Sequence, residues 1–218
     1  ADIRPVLAVD MRNHGASHRS PDHSYTALGA DLAEVIAANG APMDVLGHSM
    51  GGKAAMALAL LHPGLVRRLI VADIAPTAYA HDQRQHIAAM RALNLDGLST
   101  RSEADRRLAA TTPDAALRAF LLQSLDLKAT PPRWRLNLDA LEAEMPHVLG
   151  WPDLPGQFSG PTLFLTGANS TYVTPDHRPA IKGAFPAARF ARIPGAGHWL
   201  HAEKPREFVE TVAVFLQA

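Results

Sequence analysis

Apolar positions in the first third of the chain fall into short runs, separated by stretches with helical spacing. Val6 to Val9 reads as a buried strand ending at Asp10, and polar turn residues follow through Pro21 and Asp22. From Tyr25 to Asn39, the side chains Leu28, Leu32, Val35 and Ile36 recur on one helical face, with Gly40 as the stop. Met43 to Leu46 is a second apolar run, and Met50 to Leu61 reads as the helix after it, closed by Pro63 and Gly64. Leu69 to Ala72 is a third run, ending at Asp73. Strand and helix alternate in the manner of a parallel sheet covered by helices.

The rhythm changes after Pro76. From there to Pro155 no strand is expected, and helices are predicted around Gln83 to Leu93, Ser102 to Ala110, Pro113 to Leu125 and Leu136 to Met145. Alternation resumes with a strand over Pro161 to Thr166, a helix near Pro175 to Ala184, a strand over Ala188 to Ile193 and a helix over Pro205 to Leu216. The fold class is therefore α/β, a mostly parallel sheet flanked by helices. The expected organisation is one domain over 1–218, its core formed by 1–75 and 156–218 and interrupted by a helical stretch of about 76–155. A helical insert between two strands predicts a lid at the sheet's C-terminal edge, where pockets of open α/β sheets form.

Composition narrows the partners. Lys plus Arg and Asp plus Glu both number 21, so no net field favours nucleic acid or an anionic membrane. The chain has no cysteine, which excludes disulfides, thiolate metal sites and a cysteine nucleophile. Its longest apolar run, Ala54 to Leu61, is too short to span a bilayer. No secretory signal opens the chain, so a cytoplasmic location is expected. No phosphate loop, metal-ligand spacing or dinucleotide fingerprint occurs, and neither metal nor cofactor is expected.

Candidate chemistry centres on Gly47-His48-Ser49-Met50-Gly51, a G-x-S-x-G pattern between an apolar run and an alanine-rich helical run. In that context a tight turn lifts the serine hydroxyl out of the sheet as a nucleophile. The turn is expected to be too tight for a side chain at either flanking glycine. A serine hydroxyl needs a base to take its proton. Of 11 histidines, His198 stands out, because Gly195-Ala196-Gly197-His198 follows the last predicted strand and so falls at the same sheet edge as Ser49. His14, His62, His81, His86, His147 and His177 read as loop or surface residues. His48 is expected to pack within the turn, and His201 to open the last helix and support the loop.

Taken with Asp10-Met11-Arg12-Asn13-His14-Gly15, these motifs make the chain resemble the α/β-hydrolase fold family over nearly its whole length. Most members place the catalytic acid three residues after the glycine ending the penultimate strand. Here that glycine is Gly167, and the third residue after it is Ser170. Asp73-Ile74-Ala75-Pro76, Gly167-Ala168-Asn169-Ser170 and the stretch from Ala196 to Pro205 resemble the YbfF-type esterases. That resemblance implies Asp73 as the acid, 24 residues after Ser49, and Ser170 as a member of the histidine's hydrogen-bond network. The other readings are a strand-end aspartate capping the lid's first turn at Asp73, with Asp176 as the fallback acid, and a plain turn serine at Ser170. Asp10 and Arg12 are expected to brace the turn after the first run. Tyr25, Trp134, Trp151 and Phe158 read either as pocket lining or as core.

The elbow offers a developing oxyanion one donor, the N–H of Met50; the second donor in the family comes from a loop after an earlier strand. No such segment is visible, and the family's sheet would set a further strand between Val6–Val9 and Met43–Leu46. The chain is therefore expected to be a fragment of a longer protein or to be complemented by another chain. The expected activity is cleavage of small-molecule carboxylic esters, or thioesters, through an acyl-enzyme on Ser49, without a cofactor. The alternative is a non-catalytic small-molecule-binding module or an inactive fragment. Nothing in the sequence sets the oligomeric state.

Overall fold

The computed structural model describes residues 4–80 and 83–217; His81, read above as a surface histidine, lies outside them. The chain divides into two compact units, Ser24–Tyr79 with His147–Ala218 and Ala1–His23 with Ala80–Pro146.

The first of these units carries a four-stranded parallel sheet in the order β1 (Met43–His48), β2 (Val66–Ala72), β3 (Thr162–Gly167) and β4 (Ala188–Ile193). Successive side chains on a strand point to opposite faces, and the packing follows that period. Leu69 and Val71 of β2 and Phe164 of β3 join one core with Ile36, Met56, Leu58, Ile181 and Phe185. Ile70 and Ala72, with Leu163 and Leu165, join a second core with Ile193, Leu200 and Phe215. β3 is buried at every position, as a central parallel strand must be.

Two of the helices on the first face position the site. α1 (Tyr25–Ala38) is capped by Ser24, whose side chain accepts from the Ala27 N–H. α2 (Met50–Leu61) is buried from Gly52 to Leu60, and its small alanines let it lie between sheet and α1. Gly29 serves the same contact, since a β-carbon there would sit 3.1 Å from the Leu58 nitrogen. On the second face, the helix Pro205–Gln217 packs Phe208, Val212, Phe215 and Leu216 against the sheet.

The other unit contains the helices Arg84–Ala92, Arg101–Leu108, Ala115–Leu122 and Leu138–Ala143. These match the four helices expected there to within a few residues. The strand-free expectation for this stretch is corrected by a two-residue antiparallel ladder, Leu125–Asp126 with Arg133–Trp134. Trp134, within the ladder, is buried and donates its indole N–H to the Met90 carbonyl at 2.9 Å.

The described residues 4–23, expected with the sheet, group instead with this helical stretch. The reason lies in Asn13, buried at φ 67°, whose carbonyl accepts from the Asn137 N–H at 2.9 Å. Its side-chain oxygen accepts from the Ser20 N–H at 2.8 Å and the Asn137 amide at 2.9 Å. Asp10 and Arg12 brace the same turn, through Ala16 N–H to Asp10 at 2.9 Å and Arg12 to the Asp22 carbonyl at 3.2 Å. The expected strand Val6–Val9 does not form: the run has no strand pairing, and Val6 and Leu7 are exposed. An apolar run becomes a strand only where a neighbour accepts its hydrogen-bond ladder. β1, which pairs only with β2 among the described strands, forms the edge of the sheet.

Candidate active site

Because all four strands run parallel, their C-terminal ends share one edge, and each leads into a residue singled out above. Ser49 follows β1, Asp73 follows β2, Ser170 follows β3, and His198 follows β4 by five residues. The register His48 to Ala72 sets Ser49 and Asp73 side by side. Both have left-handed backbone, φ 52° at Ser49 and φ 51° at Asp73. For a residue carrying a β-carbon this conformation costs on the order of 1–3 kcal/mol and persists only where the surroundings enforce it. Here Ser49 N–H donates to the Ala72 carbonyl at 3.0 Å, and Asp73 N–H to the Leu165 carbonyl at 2.9 Å.

The glycines around the elbow divide differently from the expectation. A β-carbon on Gly47 would overlap the Gly51 carbonyl, as the tight turn demands. Gly51 faces open space, so sterics do not explain it, whereas a β-carbon on Gly52 would meet Ile74 at 2.7 Å. At the other side of the site, a β-carbon on Gly167 would overlap the Ala196 and Gly197 carbonyls. That glycine allows the loop bearing His198 to close onto the end of β3.

His198 links the other two groups. Its Nδ1 lies 2.8 Å from Asp73 Oδ2, and its Nε2 lies 3.1 Å from Ser49 Oγ. A carboxylate only accepts, so Nδ1 carries the proton and Nε2 presents its lone pair to the serine hydroxyl. Asp73 is fully buried, and its remaining oxygen capacity is met by the Gly167 N–H at 3.2 Å and by the Ser170 hydroxyl. Ser170 Oγ in turn accepts from the Tyr172 N–H at 3.2 Å. Met50, at the N-terminus of α2, places its N–H where the helix dipole favours negative charge.

Several neighbours were not foreseen. The Tyr172 ring stacks on His198 with centroids 3.7 Å apart and planes 15° apart. Tyr79 donates its hydroxyl to the Tyr172 carbonyl at 2.7 Å and accepts from the Ala75 N–H at 2.9 Å. Burial raises the Tyr79 phenol to about 12. Tyr172 stands two residues beyond Ser170 and carries no motif signal of its own. Lys53, in α2, is buried and donates to the Leu149 and Gly150 carbonyls at 3.0 and 2.6 Å, while burial lowers its ammonium to about 8.

His48 packs within the turn as expected, with its ring centroid 4.7 Å from that of His198. Burial first, then the neighbouring His198, lowers its pKa to about 4. His201 lies in the short helix Leu200–Glu203, before the last helix rather than at its start, 4.6 Å from the His48 ring. Asp176 lies in the 3₁₀ turn Pro175–His177, while the carboxylate on His198 is that of Asp73. Phe158 is core, packed against Phe185, and Trp134 is core of the other unit. Tyr25 and Trp151 lie 6.0 Å apart, with the Tyr25 hydroxyl committed to the Val148 carbonyl at 2.6 Å. Among the described residues no group of three or more histidine and acidic side chains is arranged to hold a metal ion.

Residues 1–205 match a family model described as the alpha/beta hydrolase fold. The chain is 43% identical to the sn-1-specific diacylglycerol lipase ABHD11 of Mus musculus, over 98% of this chain and 72% of that protein. It is 37% identical to Esterase YbfF of Escherichia coli, over 97% of this chain and 82% of that protein. A solved structure described as a marine microorganism esterase superposes with a TM-score of 0.88 at 36% identity, covering 94% of this chain and 82% of that one.

Proposed function

The chain belongs to the α/β hydrolase fold family as a carboxylesterase-type serine hydrolase, and from that premise we propose that Ser49, His198 and Asp73 are its catalytic triad. The observation that carries this reading is the unbroken line from Ser49 Oγ through the His198 imidazole to Asp73 Oδ2, at 3.1 and 2.8 Å. In the reaction, Ser49 Oγ attacks the ester carbonyl while His198 Nε2 takes its proton. The Met50 N–H holds the oxyanion of the tetrahedral intermediate. Asp73 stabilises the imidazolium, and Ser170 holds the carboxylate in the orientation that His198 requires. The intermediate collapses as His198 returns the proton to the leaving alcohol, leaving an acyl group on Ser49. Water, deprotonated by His198, attacks the acyl-enzyme and releases the acid.

The substrate class is a small-molecule acyl ester. The name of the Mus musculus relative makes diacylglycerols with a labile sn-1 ester the first natural substrates to try. A thioester passes through the same intermediate and is the second reading. No described helix is long and apolar enough to cross a membrane, and a cytoplasmic location is part of the proposal.

The test is hydrolysis of p-nitrophenyl acetate, butyrate and octanoate by the parent, Ser49→Ala and Asp73→Asn. Turnover lost in Ser49→Ala and nearly lost in Asp73→Asn supports the assignment. Full turnover in Asp73→Asn moves the acid to Asp176. Fluorophosphonate labelling separates the enzyme from a binding module, which would bind ligand without modification of Ser49.

A further inference from the structure

The residue immediately before the nucleophile reaches across to the base. His48 Nε2 lies 2.8 Å from the carbonyl oxygen of His198, and because a carbonyl only accepts, the imidazole donates. Two consecutive residues at the end of β1 therefore hold the same histidine, His48 by its backbone and Ser49 by its ring at 3.1 Å. The loop on which His198 stands is also anchored elsewhere. Glu203 takes the Gly197 and Trp199 N–H groups at 2.7 and 3.2 Å, and Asn169 N–H donates to the Ala196 carbonyl at 2.8 Å. These fix the loop to its own helix and to the end of β3, and none reaches β1. His48 does link the loop to β1, with Trp199 and His201 packed around its ring at 5.7 and 4.6 Å.

We propose that His48 is a positioning residue, which sets the distance between the base and the nucleophile by tethering the His198 backbone to the strand carrying Ser49. The inference rests on the triad reading above. Ser49 and His198 approach from two different strands, β1 and β4, that are not neighbours in the sheet. Without the tether, the His198 backbone would be located against β1 only through the ends of β2 and β3. Asp73 holds the imidazole itself at 2.8 Å; the tether adds a direct backbone link between the two strands, and an error of about 1 Å between reacting groups lowers rate by about 10²-fold.

The variants are His48→Phe, which keeps an aromatic ring without the donor, and His48→Gln, which restores an N–H at similar reach. In His48→Phe, kcat for p-nitrophenyl butyrate should fall by about 10–100-fold with KM little changed, and fluorophosphonate labelling of Ser49 should slow in parallel. His48→Gln should recover most of both rates. A packing role alone would lower thermal stability without that split and without rescue by Gln. Crystal structures of the parent and His48→Phe supply a readout independent of turnover, the Ser49 Oγ to His198 Nε2 separation. Lengthening in His48→Phe supports the tether; an unchanged separation with unchanged labelling overturns it. If the parent neither turns over ester nor labels at Ser49, the triad reading fails, and the tether is then judged on that separation alone.

Discussion

Asp73 and Asn13 are built from the same parts and do different things. Each is a buried polar residue with left-handed backbone, φ 51° and φ 67°, and each contacts a histidine. Each also gathers backbone and side-chain donors, from Gly167 and Ser170 at Asp73 and from Ser20 and Asn137 at Asn13. At Asn13 the histidine is His23, fully buried and 3.2 Å away, with its pKa lowered to about 4 chiefly by burial. That network fastens a turn to a helix and runs on from the His23 N–H to Glu144 at 3.2 Å. At Asp73 the hub is a carboxylate, and the far nitrogen of its histidine points at a hydroxyl. A buried polar cluster with strained backbone thus serves as a fastening device at Asn13 and, in the proposed reading, as part of the triad at Asp73. The separating features are a carboxyl rather than an amide at the hub and a serine hydroxyl, the proposed nucleophile, on the histidine's second nitrogen.

Four perturbations break or sharpen this contrast. Asp73→Asn presents an amide to Nδ1 and favours the wrong tautomer, so kcat should drop by about 10⁴-fold, measured as p-nitrophenyl butyrate turnover. Asn13→Ala, at the other hub, should leave turnover per folded molecule unchanged while lowering stability by about 1–3 kcal/mol, read from urea denaturation.

Acid should act through the histidines. His23 and His48 titrate near 6.5 when unfolded but near 4 when folded. Between those values the unfolded chain binds more protons. Their effect on stability is therefore absent above pH 6.5, grows as a loss while pH falls towards 4, and levels off below it. Urea midpoints across that window should fall less steeply in His23→Gln than in the parent. The smallest effect concerns the ring stacked on His198. Tyr172→Leu should lower kcat several-fold, since an aromatic face stabilises an adjacent cation by about 0.5–2 kcal/mol, and Tyr172→Phe should restore it.

Periodicity carried the sheet well, because β2 alternates Leu69 and Val71 against Ile70 and Ala72 and each pair found its own core. Ser49 and His198 were legible from glycines around a strand end, a local signal. Asp73 was not legible from its own surroundings and came from resemblance, since a strand-ending aspartate is common. Val6–Val9 misled for a physical reason: apolarity supplies the side chains of a strand but not the neighbour that pairs with it. The grouping of residues 4–23 with the helical stretch was hidden, because it rests on Asn13 and Asn137, 124 positions apart. Tyr172 was missed likewise, as ring stacking leaves no trace in spacing.

The open space at Gly51 bears on how relatives of this chain are to be found. A pattern that demands glycine at both ends of the elbow joins a position where geometry forbids any side chain, Gly47, to one where it does not. The steric demand falls instead on Gly52, one residue further along. A search written as G-x-S-x-x-G would follow the constraint, and would admit siblings that carry alanine or serine after the residue proposed to hold the oxyanion.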